Sequence, residues 1–104
     1  MHVHVDFCLI PLGGDLSVAA EVAECQRVLR AAGLEPRLHA YGTNVEGDWD
    51  LVMAAIKECH HRVHGMGRAR ISSTLRIGTR TDRHQTLAAK VERVERLLSG
   101  RSSC

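Results

Sequence analysis

Aromatic side chains are scarce: Phe7, Tyr41 and Trp49 are the only three among 104 residues. A sheet that reads RNA displays aromatics for base stacking on its central strands, and this chain has none between residues 69 and 79. Charge of one sign is also missing. Fourteen Lys and Arg face twelve Asp and Glu, mixed along the chain, for a formal net charge of +2. Without a block of like charges there is no electrostatic footprint for a nucleic acid. No apolar run approaches the roughly 18 residues of a membrane helix, and no segment reads as a secretory signal. Cys8, Cys25, Cys59 and Cys104 are scattered, with no Cys-x-x-Cys pair. Free, reduced thiols in a cytoplasmic protein are expected.

Catalytic and cofactor signatures are lacking as well. Gly13-Gly14-Asp15-Leu16-Ser17 joins a strand to a helix start, where free amides attract anions. It carries neither the lysine of a P-loop nor the spacing of a dinucleotide fingerprint. His60, His61 and His64 put two imidazoles one helical turn apart, yet Glu58 is not placed as in His-Glu-x-x-His and no third ligand stands nearby. His2 and His4 alternate on one strand face. Both clusters are read as solvated or interfacial histidines, and no metal or cofactor is expected. Cys8 reads as a small buried hydrophobe, since nothing in the sequence lowers its pKa.

What is present is clear periodicity. Val3, Val5, Phe7 and Leu9 alternate with His4, Asp6, Cys8 and Ile10, which predicts a strand over 3–11 with one apolar face. Ser17 is a candidate N-cap for a helix carrying Val18, Val22, Cys25, Leu29 and Ala32, stopped by Gly33. A second strand is expected over about 35–41, a hairpin at 42–43 and a short third strand over 44–47. Asp48 then caps a helix with the stripe Val52, Ile56, Cys59, Val63 and Met66, ended by Gly65 and Gly67. A fourth strand, 69–79, turns Ala69, Ile71, Leu75 and Ile77 inward, and a last helix bears Leu87, Val91, Val94 and Leu98. The order β-α-β-β-α-β plus a helix predicts an α+β ferredoxin-like sandwich with an antiparallel sheet. One domain over 1–100 with a frayed tail at 101–104 is expected. Both crossover helices would cover one sheet face and leave the other open. That face and the spare helix predict burial against another copy, as a dimer or tetramer.

The densest polar segment is Tyr41-Gly42-Thr43-Asn44-Val45-Glu46-Gly47, followed by Trp49. Read as a hairpin, it brings a hydroxyl, an amide and a carboxylate together, with Tyr41 or Trp49 placed to stack on a small polar ring. The same residues also fit a plain hairpin followed by an Asp-capped helix.

Tyr41-Gly42-Thr43-Asn44-Val45-Glu46-Gly47 together with Arg76-Ile77-Gly78-Thr79-Arg80-Thr81-Asp82 resembles the thiamine-binding protein family. Ser17-Val18 and the segment from Cys59-His60 to Val63-His64-Gly65-Met66-Gly67 extend the likeness from Val3 to Leu98. The resemblance implies a non-catalytic protein, a carrier or sensor of thiamine or its hydroxymethylpyrimidine portion, assembled as dimers and tetramers. Ser17, Thr43 and Asn44 would then be polar contacts, Glu46 the partner of an amine or cation, and Tyr41 or Trp49 the packing surface. Ala19 stands where the family commonly has a second hydroxyl residue. Two other classes are weighed. An acylphosphatase-like hydrolase needs an arginine in the first strand–helix loop, and residues 11–17 contain none. A pure interaction module would use the hairpin as a subunit contact.

Overall fold

The computed structural model describes residues 1–14 and 16–100. The expectations for Asp15, Cys104 and the tail at 101–104 lie outside the described residues. The elements are β1 (His2–Leu12), α1 (Ala19–Ala31), β2 (Arg37–His39), β3 (Gly42–Asp48), α2 (Trp49–Gly65), β4 (Arg70–Gly78) and α3 (Leu87–Leu98). The sheet runs β2-β3-β1-β4 with every neighbouring pair antiparallel. This is the expected ferredoxin-like order with one helix added.

The alternation on β1 dictates the layering. Val3, Val5, Phe7 and Leu9 are buried together with Cys25, Val28 and Leu29 of α1 and Val52, Ile56, Cys59 and Val63 of α2. Both crossover helices therefore cover one face. The open face carries His2, His4, Asp6, Cys8, Ile10 and Leu12 of β1, in register with Asn44 and Glu46 of β3 and with Thr74 and Arg76 of β4.

Local chemistry accounts for most boundaries. The Asp48 carboxylate accepts from the Asp50 N–H at 3.2 Å, which caps α2 as expected. Gly67 follows α2 with φ +93°, a conformation that L side chains rarely adopt. The Thr86 hydroxyl accepts from the Ala89 N–H and starts α3. By contrast, α1 begins after Val18 with no side-chain cap, so Ser17 does not cap it.

The hairpin differs from the reading above. The turn is Ala40–Tyr41, and Gly42 and Thr43 already belong to β3. A Cβ on Gly42 would stand 2.7 Å from the Phe7 carbonyl oxygen, so this glycine permits close strand approach rather than a turn. Ala69 lies outside β4, and Ile77, on the helix-facing side, stays 43% exposed.

Candidate functional site

The pairing register creates a cleft. β1 pairs with β3 only from His2 to Phe7, whereas it pairs with β4 from His4 to Leu12. Beyond Phe7 the β2–β3 hairpin ends, and β1 presents a free edge with main-chain donors and acceptors toward the start of α1. Pro11 sits on this single-sided stretch, where a missing N–H is tolerated.

Between that edge, α1 and the hairpin tip lies a cavity of about 270 Å³. Its walls are mainly apolar, with Phe7, Leu9, Val18, Val22 and Leu38 prominent. A buried polar pair interrupts them: the Gln26 side-chain amide donates to the Thr43 hydroxyl oxygen at 2.9 Å. Thr43 is 4% exposed and Gln26 9%. The hydroxyl can still donate, and the Gln26 carbonyl oxygen can still accept. A ring bearing an acceptor nitrogen beside an amino group matches that pattern.

At the rim, His39 Nε2 stands 2.8 Å from an Asp6 carboxylate oxygen, and His39 Nδ1 accepts from the Tyr41 N–H at 3.2 Å. This pattern assigns the ring proton to Nε2. Tyr41 itself is 87% exposed at the tip. It lines the cavity and is free to fold over an occupant.

The expected site residues do not form one cluster. Tyr41 and Thr43 line the cleft, and Ser17 lies exposed just before α1 without lining it. Strand alternation turns Thr43 toward the helices, and the same alternation turns Asn44 and Glu46 to the open face. There Asn44 borders a groove with Asp6, Arg76 and Lys90. Trp49 opens α2 and packs, half-buried, against the core.

Glu46 has its own partners. Both carboxylate oxygens accept from the Leu87 N–H at 3.2 and 3.3 Å, and His2 Nε2 and His4 Nε2 stand 3.0 and 3.1 Å from one of them. Burial alone would raise its pKa. The hydrogen bonds from His2 and Leu87 and the adjacent His4 outweigh that and hold it below the usual carboxylate value. Burial, then the Lys90 ammonium, hold His4 below its usual value.

The other singled-out groups have structural partners. His60 Nε2 bonds the Ser73 hydroxyl at 2.8 Å, and His64 Nδ1 accompanies the Arg68 carbonyl at 2.7 Å. Arg80 pairs with Asp82 at 2.6 Å. Cys25 and Cys59 are buried between α1 and α2, and the contact with Cys25 together with burial pushes the Cys59 thiol far up. Gln26 is a polar residue of this cleft that the sequence reading missed. Its signal was a polar amide next to Cys25 and three residues before Leu29, on the buried side of α1.

The profile of a family described as thiamine-binding protein matches residues 5–95. A UPF0045 protein of Synechocystis is 58% identical over 95 residues, covering 91% of this chain and 78% of its own. A UPF0045 protein of Eremothecium gossypii is 41% identical over 100 residues, with 95% of each chain covered. Among solved structures, a hypothetical protein of Methanocaldococcus jannaschii superposes with a TM-score of 0.83 at 32% identity, over 90% of this chain and 96% of its own. A Thermotoga maritima protein, provisionally named for thiamine biosynthesis or salvage, shares the fold at a TM-score of 0.77 and 19% identity, over 90% and 99% of the two chains.

Proposed function

The chain belongs to the thiamine-binding protein family, and on that premise we propose that it is a non-catalytic carrier or sensor that binds thiamine or its hydroxymethylpyrimidine portion in the cleft between α1 and the β2–β3 hairpin. The observation that carries this reading is the buried Gln26–Thr43 pair inside a mainly apolar cavity of about 270 Å³. Small-molecule sites have this character, a mainly apolar concavity with a few fixed polar groups.

In this reading the aminopyrimidine lies flat against Phe7 and Leu9. Thr43 donates to a ring nitrogen, and Gln26 accepts from the exocyclic amine. Tyr41 closes over the ring. The free edge of β1 offers further main-chain partners, and Ser17 is within the chain segment that leads into the cleft wall at Val18. Asn44 and Glu46 face away and are not part of this pocket. No catalytic role is assigned to any residue. A cytoplasmic setting fits the free thiols of Cys8, Cys25 and Cys59. Among the described residues no helix is long and apolar enough to cross a membrane.

Isothermal titration calorimetry with thiamine and with hydroxymethylpyrimidine tests the reading. Saturable binding to the wild type that is weakened in Thr43→Val supports it. Heat that saturates equally in wild type and Thr43→Val removes the cleft as the site, and no heat with either ligand refutes the ligand class.

We also propose that the chain self-associates as a dimer or tetramer. α3 buries none of its residues, and Val91, Val94, Leu97 and Leu98 are 54–81% exposed. Ile10 and Leu12 on the open sheet face are 49% and 42% exposed. Apolar surface gathered in this way favours coverage by another copy.

A further inference from the structure

On the open face of the sheet, two imidazoles and a carboxylate converge on one point. His2 and His4 project from the same side of β1, and the antiparallel register sets His4 opposite Glu46 of β3. Both Nε2 atoms approach the same Glu46 oxygen, at 3.0 Å from His2 and 3.1 Å from His4. The three atoms all lie within 4.8 Å of one another. Ligands held about 2.0–2.1 Å from a tetrahedral zinc ion stand roughly 3.3 Å apart. Two edges of the triangle are therefore close to the length an ion would impose.

We propose that His2, His4 and Glu46 bind a divalent transition-metal ion of the zinc class, with a further coordination position open to the neighbouring cavity. Two imidazoles with one carboxylate suit Zn²⁺, Co²⁺ or Ni²⁺, whereas Mg²⁺ and Ca²⁺ prefer oxygen ligands. The site is independent of the Gln26–Thr43 cleft, which lies on the helix side of the sheet.

Three further observations support it. The Glu46 carboxylate is oriented by the Leu87 N–H at 3.2 and 3.3 Å, the kind of outer contact that fixes a ligand. A cavity of about 320 Å³ adjoins the triad, bordered by Thr79, His84 and Gln85 among others. The His84 ring centroid lies 5.0 Å from that of His2, and His84 borders the same cavity.

The metal-free arrangement has a built-in competitor. Lys90 Nζ lies 2.8 Å from His4 Nδ1. Its ammonium donates there, so His4 carries its proton on Nε2 and gives it to Glu46. An incoming ion displaces that proton, and Lys90, exposed in the first turn of α3, swings into solvent. Removing the Lys90 charge should therefore tighten metal binding.

The test uses the full chain without an affinity tag, stripped by chelation and titrated with Zn²⁺ alone and with Co²⁺ alone. The expected result is one ion per chain and a tetrahedral or five-coordinate Co²⁺ visible spectrum. His4→Ala and Glu46→Gln should each weaken binding by at least the roughly 10–100-fold that loss of an outer-shell contact costs. Lys90→Met should bind more tightly than wild type, and His60→Ala should bind like wild type. Thermal melting without metal checks that Glu46→Gln is folded; if it is not, His2→Ala and Lys90→Met decide. Absence of binding overturns the proposal, as does binding that survives loss of His2 or Glu46 and disappears in His60→Ala.

Discussion

The Gln26–Thr43 hydrogen bond can be tested on stability and on ligand binding with the same three variants. Thr43→Val keeps the side-chain shape and removes the hydroxyl, leaving the Gln26 amide without its 2.9 Å partner at a position 9% exposed. An orphaned buried polar group costs about 1–3 kcal/mol. Gln26→Leu removes the donor instead. The Thr43 hydroxyl can then turn toward the cleft, so its cost should lie near the roughly 0.5–1.5 kcal/mol of an ordinary net hydrogen bond. The double variant replaces both partners by apolar groups of similar shape and should cost less than the two single losses together. A coupling energy within the roughly 0.5–3 kcal/mol range of contacting residues is expected. Urea denaturation measures it directly, and in a thermal melt each kcal/mol corresponds to about 4–8 °C for a domain of this size. On the ligand side, either single variant should weaken aminopyrimidine binding by about ten- to a hundredfold, at roughly 1.4 kcal/mol per tenfold change. Additivity within about 0.5 kcal/mol would refute the coupled pair. Coupling in stability with unchanged affinity would leave the pair structural and remove it from the site.

Three shorter predictions follow from other parts of the fold. Burial, with the nearby His64 and His61, holds His60 below its ordinary value of 6.5. The unfolded chain therefore binds the proton more readily, and this contribution is present above about pH 6.5 and is lost as pH falls through the lower folded value. Melting temperature measured against pH should fall on the acid side, and His60→Gln should flatten that limb; an unchanged limb would exclude His60 as its source. Gly42→Ala places a Cβ 2.7 Å from the Phe7 carbonyl oxygen and should destabilise by about 1–3 kcal/mol through forced strand separation; a neutral result in urea would contradict the close approach. Val91→Glu with Val94→Glu places charges on the apolar stripe of α3. Analytical ultracentrifugation should show a smaller species than wild type, whereas a wild-type monomer at micromolar concentration would sink the self-association proposal.

Much of the architecture was legible because it follows from period alone. Val3, Val5, Phe7 and Leu9 at every second position determine which face of β1 meets the helices, whatever the rest of the chain does. The stripe Val52, Ile56, Cys59 and Val63 does the same for α2, and Asp48 caps it through atoms two residues apart. Membership of the family also lay in the sequence, since the segments 41–47 and 76–82 carry it.

The candidate site was only half legible. Thr43, Asn44 and Glu46 look like one polar cluster when Gly42-Thr43 is read as a turn. Once Gly42 begins a strand, alternation sends Thr43 into the cleft and Glu46 to the opposite face, beside His2 and His4. With the turn at Ala40–Tyr41, Gly42 packs so closely on Phe7, 35 residues away in the chain, that a Cβ there would stand 2.7 Å from its carbonyl oxygen. Gln26 meets Thr43 only through the tertiary fold, at the end of the stretch where β3 pairs with β1. Local periodicity and capping are set by neighbours a few residues away, so the sequence alone determines them. Which polar groups share a pocket is set by strand register and by where pairing ends, and those exist only once the chain has closed on itself.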